Sequence, residues 1–173
     1  MMRSTLLWLS EQKSLFNFVR RNRLAKHFAS RFVAGETIAT AVAAARELQA
    51  RGITASLDLL GESVFKPAEA EQARDMYVAI LQAMQEAGVE INASVKPTQM
   101  GLDIDEALCE RNIRMILDAA KATGAFVRLD MEGSAYTQRT LDFFADRLFA
   151  DYGKHTGVVI QSALRRFQRI SSQ

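Results

Sequence analysis

A chain of 173 residues, 49% apolar and 24% charged, suits one soluble globular domain with a real core and excludes a disordered or disulfide-scaffolded chain. Its single cysteine, Cys109, excludes an intrachain disulfide and a cysteine-rich metal centre and fits a reducing cytoplasm. The net charge is only +2, yet Arg3, Lys13, Arg20, Arg21, Arg23, Lys26 and Arg31 all precede Gly35 against Glu11 alone, which leaves the remainder mildly acidic.

Residues 1–35 therefore form a basic amphipathic segment, expected to be helical, in which Leu6, Trp8, Leu15, Phe16, Phe18 and Val19 are interleaved with the cations. Two readings stand: a helix that caps the fold, or one that lies on an anionic membrane or an acidic partner. The run "TLLWL" is too short for a membrane span, and no small-residue cleavage pattern follows it. No aromatic stacking motif accompanies the cations, so nucleic acid is not expected as a partner.

From residue 36 to 173 two kinds of segment alternate, and that alternation is the main structural signal. "ETIATAVAAARELQARG" predicts a helix with Ile38, Val42 and Ala45 on one face and Gly52 as its stop. "ITASLDLLGES" reads as a strand ending near Leu60. "KPAEAEQARDMYVAILQAMQEAG" has proline early, acids in its first turns and Tyr77, Ile80, Leu81 and Met84 at core spacing, so it predicts a second helix closed by Gly88. "VEINASVK" is a strand, and "DIDEALCERNIRMILDAAKATG" a helix with Leu108, Ile113 and Ile116 inward. "AFVRLDME", "TQRTLDFFADRLFADYG" and "GVVIQSAL" supply strand, helix and strand.

The order βαβαβαβ predicts an α/β fold with parallel strands and right-handed crossovers. No G-x-G-x-x-G turn follows the first strand, which favours a barrel over the dinucleotide-binding sheet. In a parallel barrel the strand ends share one rim, where barrel enzymes place their ligands. Glu62 follows the first strand, Lys96 ends the second, Asp130 and Glu132 end the third, and Gln161 lies near the end of the fourth.

Lysines are mostly solvated, so Lys96 alone carries little. Asp130, after an apolar strand, needs a cationic or hydrogen-bonding partner, and Lys96 on the neighbouring strand could supply it while still holding a substrate carboxylate. Glu62 and Glu132 read equally well as loop carboxylates and Gln161 as a satisfied core amide. Ser134, His27 and His155 form no nucleophile-base motif, Cys109 reads as a packing residue, and no metal-ligand spacing is present.

The phrases "RFVAGET", "LDLLGES", "SVKPTQMGLDID", "RLDMEGSAYTQRTLDFF" and "GVVIQSALRR", in this order, resemble the flavin-dependent proline dehydrogenases, particularly the single-function bacterial type, up to about Arg166. The resemblance implies a distorted (β/α)8 barrel, of the triosephosphate isomerase type, that carries FAD. It implies oxidation of L-proline to Δ1-pyrroline-5-carboxylate, with hydride leaving the carbon beside nitrogen for flavin N5 and electrons passing to a quinone or other acceptor. It casts Lys96 as the partner of the proline carboxylate, Asp130 as the active-site aspartate, and Glu62 as half of an ion-pair gate. Met131 and Gln161 fall where the family meets the isoalloxazine, and the basic leader gains a second purpose in peripheral docking at the inner face of the membrane.

Pro97 stands where the family has a leucine-like residue, and Gly133 where its "MED" triplet is acidic. The resemblance also implies about 250 residues for a complete barrel. The chain is therefore expected to be a truncated or frameshifted piece with about four β/α units, inactive or nearly so, whose open edges favour oligomers. The alternative is a non-catalytic module that binds a membrane or a partner through the leader. A carboxylate-dependent barrel hydrolase is a third reading, without a motif of its own.

Overall fold

The computed structural model of the chain describes residues 35, 37–61 and 63–161. The expected helical leader, apart from Gly35, lies outside the described residues. So does Glu62.

The elements are α1 (Ile38–Ala50), β1 (Leu57–Asp58), α2 (Pro67–Glu86), β2 (Asn92–Val95), α3 (Glu106–Thr123), β3 (Phe126–Leu129), α4 (Thr137–Phe143), a π turn (Phe144–Leu148), α5 (Phe149–Tyr152) and β4 (Thr156–Val158). The strands form one parallel sheet in the order β1-β2-β3-β4. The predicted succession of helices and strands is thus present, with every strand shorter than its apolar run suggested. The outer strands β1 and β4 each pair on one side only among the described residues.

Local chemistry sets the helix ends. Thr37 and Thr40 cap α1 reciprocally, each hydroxyl accepting the other's amide at 3.3 and 3.2 Å. Pro67 occupies the first turn of α2, where its missing N–H costs nothing. Asp105 accepts from the amides of Ala107 and Leu108 at 3.3 and 3.0 Å to start α3, and Gly124, at φ 72°, ends it in the left-handed conformation. Gln49 of α1 brackets the end of α2, donating to the Gly88 carbonyl at 3.1 Å and accepting from the Glu90 amide at 2.6 Å.

Alternation along the strands gives the sheet two different faces. Ala93, Val95, Val127 and Leu129 are buried against Tyr77 and Leu81 of α2 and Ile113, Ile116 and Leu117 of α3. The helical faces predicted for α2 and α3 are all buried, and in α1 Val42 and Ala45 are buried while Ile38 is half-buried. The opposite face carries a row in register, Asp58, Ser94, Arg128 and Gly157.

One helix departs from its predicted regularity. The segment 137–152 keeps Phe143, Leu148 and Tyr152 inward, and the step of five residues from Phe143 to Leu148 exceeds a regular turn. The π turn absorbs the extra residue, so Leu148 reaches the core while Arg147 stays out to pair with Glu110 at 3.5 Å.

Gly101 follows β2 at φ 99°, and a Cβ there would meet Leu108 Cδ2 at 3.0 Å. Gly124 has the same left-handed demand but open space around it. Gly124→Ala is therefore expected to cost about 1–2 kcal/mol from backbone strain alone. Gly101→Ala, which adds crowding, is expected to cost roughly 1 kcal/mol more. Urea unfolding of both variants checks the order.

Candidate functional site

β2 reaches its last paired residue at Val95, and the Asp130 amide still donates to the Val95 carbonyl at 2.9 Å. Lys96 and Asp130 therefore leave neighbouring strands at the same level. Lys96 Nζ lies 2.9 and 2.8 Å from the two carboxylate oxygens of Asp58 on β1, and 3.9 Å from Asp130 Oδ2. The pairing expected between Lys96 and Asp130 is thus looser than the contact Lys96 makes with Asp58, which the strand ends alone do not predict. The signal for Asp58 was present in "LDLL", a charge inside an apolar strand run.

Asp130 has a closer partner of its own: Ser94, one pair back on the same sheet face, donates its hydroxyl to Asp130 Oδ1. Tyr77 stands beneath Asp58. Its hydroxyl accepts from the Leu59 amide at 3.2 Å and donates to the Ser94 carbonyl at 2.7 Å. Those two backbone groups are the ones the next rung of a parallel β1–β2 ladder would join, so the phenol replaces that rung. Burial, with the neighbouring Asp58 carboxylate adding to it, pushes the Tyr77 hydroxyl well above its ordinary value and keeps it a donor.

Glu132, read from sequence as a loop carboxylate, instead clamps the loop after β2. It accepts from the Thr98 amide at 3.0 Å and from the Thr98 hydroxyl. The same hydroxyl oxygen accepts from the Ser63 amide at 3.1 Å, so the β1 loop, the β2 loop and the end of β3 are joined through one fully buried threonine. Pro97 gives up no needed donor here: it follows the strand end and opens a turn in which the Gln99 amide returns to the Lys96 carbonyl at 3.0 Å.

These strand ends surround a cavity of about 490 Å³, whose walls include Lys96, Asp130, Met131, Glu132, Val159 and Gln161. Four of the five residues expected to form the site are thus gathered at one rim, and the fifth, Glu62, lies outside the described residues. Gln161 is exposed, not a buried core amide, and its side-chain nitrogen donates to the Met131 carbonyl at 3.3 Å. Tyr136 also faces the cavity, with its hydroxyl donating to Asp103 at 2.7 Å, and that bond raises its pKa.

Residues set aside as structural sit apart from the cavity. Cys109 is buried against the Pro97 carbonyl, and burial pushes its thiol far above the ordinary range, which makes it a poor nucleophile. His155 Nδ1 lies 3.1 Å from the Ala125 carbonyl. No helix among the described residues is long and apolar enough to cross a membrane.

The proline dehydrogenase family model matches residues 41–171. Among curated proteins, proline dehydrogenase 1 of Bacillus subtilis strain 168 is 35% identical over 168 residues, covering 96% of this chain and 54% of that protein. The proline dehydrogenase of Deinococcus radiodurans is 34% identical over 168 residues, covering 95% of this chain and 53% of that protein. The chain thus spans about half the length of the curated relatives it matches. Among solved structures, the proline utilization A protein of Bdellovibrio bacteriovorus inactivated by N-propargylglycine superposes with a TM-score of 0.76 at 22% identity, over 86% of this chain and 18% of that one. That likeness, with the parallel order of the sheet, fits a partial barrel.

Thr98→Val removes the hydroxyl that joins Glu132 to Ser63 while keeping the side-chain shape. It is expected to destabilise the chain by about 1–3 kcal/mol, since Glu132 loses a partner in a part-buried site. Hydrogen exchange at the Ser63 amide should accelerate by more than the global loss explains.

Proposed function

Because the chain belongs to the proline dehydrogenase family, we propose that its rim binds L-proline for FAD-dependent oxidation to Δ1-pyrroline-5-carboxylate. The observation that carries this reading is the meeting of Lys96, Asp58 and Asp130 at the ends of neighbouring parallel strands, beside a cavity that Lys96 and Asp130 line. L-proline offers a carboxylate and a secondary amine on one carbon, and an ammonium beside a carboxylate is the complementary pair. Lys96 receives the proline carboxylate. Asp130, whose Oδ1 is occupied by Ser94, turns Oδ2 to the amine and holds its N–H.

The cavity also fits a flavin edge. Met131 and Val159 give it apolar wall, and Gln161 donates through its nitrogen to Met131 and leaves its carbonyl oxygen unengaged among the described residues. A volume of about 490 Å³ is in the range of small-ligand sites. Met131 and Gln161 would hold the ring. Flavin, when bound, supplies the two-electron acceptor for the carbon beside nitrogen. The chain's own task is to bind, orient and keep water from the reacting carbon.

The same reading places the chain in the cytoplasm, peripherally at the inner face of the membrane, where a quinone or other acceptor takes the electrons. The cations Arg20, Arg21 and Arg23 would meet anionic lipid there.

The test uses the nitrogen-15-labelled chain with FAD present and two ligands, L-proline and pyrrolidine, which keeps the amine and lacks the carboxylate. L-proline is expected to shift the Lys96, Asp130 and Met131 amide signals and to bind at least about tenfold more tightly than pyrrolidine, as a charge-assisted pair should give. Lys96→Met should erase that preference. Shifts scattered away from the rim, or equal affinities for the two ligands, would sink the reading.

A further inference from the structure

We propose that Asp58 is the residue that positions Lys96 for its ligand. The inference rests on the reading that Lys96 receives a substrate carboxylate, and it names a residue on which that role depends. Hydrogen bonds to charged nitrogen fall at about 2.7–2.9 Å. Both Asp58 oxygens meet that range, at 2.9 and 2.8 Å, and the nearest Asp130 oxygen, at 3.9 Å, does not. Asp58 therefore fixes the direction of the ammonium, and Asp130 contributes charge without a bond.

Three features make this a built contact. The strand register sets Asp58 opposite Ser94, two residues below Lys96 and therefore on its side of the sheet. Tyr77 holds the end of β1 by taking the Leu59 amide and giving to the Ser94 carbonyl, so the backbone on both sides of the ion pair is tied to one buried phenol. Ser94 itself occupies Asp130 Oδ1, which keeps the second acid from competing for the ammonium.

An ammonium has three hydrogens. The Asp58 bonds engage two, and the third is left for the cavity that Lys96 lines. Without Asp58 the flexible four-carbon stem has no preferred direction, and a carboxylate ligand would have to order it on binding.

Lysine acetylation by an N-hydroxysuccinimide ester, read by mass spectrometry on the whole chain, tests the assignment. The reagent must reach the amine nitrogen, so a lysine clasped by a carboxylate is labelled slowly. Lys66, with its side chain 77% exposed against 20% for Lys96, is the internal reference. Asp58→Asn is expected to raise Lys96 labelling about tenfold relative to Lys66, the scale of a hydrogen bond to a charged group. Asp130→Asn, which breaks no hydrogen bond to Lys96, should raise it less than about threefold, and Asp58→Glu, which keeps an acceptor, should restore most of the protection. The Lys66 rate, which a general loosening would also raise, should stay constant.

Unchanged labelling in Asp58→Asn, or an equal rise in Asp130→Asn, overturns the proposal. Should Asp58→Asn fail to fold, Tyr77→Phe keeps both carboxylates and removes the tie on β1. It is expected to raise Lys96 labelling about threefold, the scale of one net hydrogen bond, and no change there overturns the proposal as well. Added L-proline separates the two ideas, since it should slow Lys96 labelling in the wild type. Loss of that protection with the Asp58→Asn effect intact refutes the carboxylate role of Lys96 alone.

Discussion

The contact of the Lys96 ammonium with carboxylates from the strands on either side depends on a shared level of strand ends. β2 supplies the lysine, β1 supplies Asp58 and β3 supplies Asp130, and the pairs Asp58↔Ser94 and Val95↔Leu129 fix their relative heights. A slip of one residue in either pairing would turn the corresponding acid to the helix-covered face, because strand side chains alternate. The apolar face guards against that slip. Ala93, Val95, Val127 and Leu129 are buried under α2 and α3, and no charged residue could take their places without losing hydration. The polar constellation on one face is thus held in register by the hydrophobic packing on the other.

The loop that follows Lys96 shows what this arrangement costs. Residues 97–102 are buried, so their backbone groups need partners away from bulk water. The Pro97 carbonyl receives the amides of Met100 and Leu102, each at 3.1 Å. Asn112 of α3 donates to the Met100 carbonyl at 3.1 Å, Arg139 of α4 to the Leu102 carbonyl at 2.7 Å, and Glu132 accepts from the Thr98 amide at 3.0 Å. Polar residues on three different elements are spent on one loop. The return is a loop whose backbone is satisfied directly after Lys96, which lines the cavity.

Much of this was legible in the sequence, for reasons that also explain what was not. Periodicity gave the helices, because Tyr77, Ile80, Leu81 and Met84 or Leu108, Ile113 and Ile116 mark one face at a helical interval. The order of strands and helices gave the common rim, and so grouped Lys96, Asp130, Glu132 and Gln161 with Glu62, while Met131 came from the family resemblance. Strand length was overestimated, since an apolar run such as "ITASLDLL" does not say where pairing stops, and here a tyrosine from another element ends it. For the same reason Asp58 was passed over: it lay inside the run, and only the register shows that it stands beside Lys96. The Glu132 clamp was equally opaque, although its place on the rim was not, because its partner is a backbone amide 34 residues away. The π turn was hidden as well, although Phe143, Leu148 and Tyr152 already break the regular spacing.

Two acids flank one lysine, and their roles differ because their other partners differ. Asp130 has one oxygen committed to the Ser94 hydroxyl, and its other, Oδ2, stands 3.9 Å from the ammonium, beyond the range of a charge-assisted hydrogen bond. Asp58 has no side-chain hydroxyl at such close range, its nearest being Tyr77 at 3.3 Å with its hydrogen better placed toward the Ser94 carbonyl at 2.7 Å. Both Asp58 oxygens are therefore available to the lysine. Ser94 decides the asymmetry twice, through its hydroxyl on Asp130 and through its carbonyl on Tyr77. A small residue in the middle of β2, with neither charge nor bulk, thereby leaves one carboxylate bonded to the lysine and the other bonded to the serine hydroxyl.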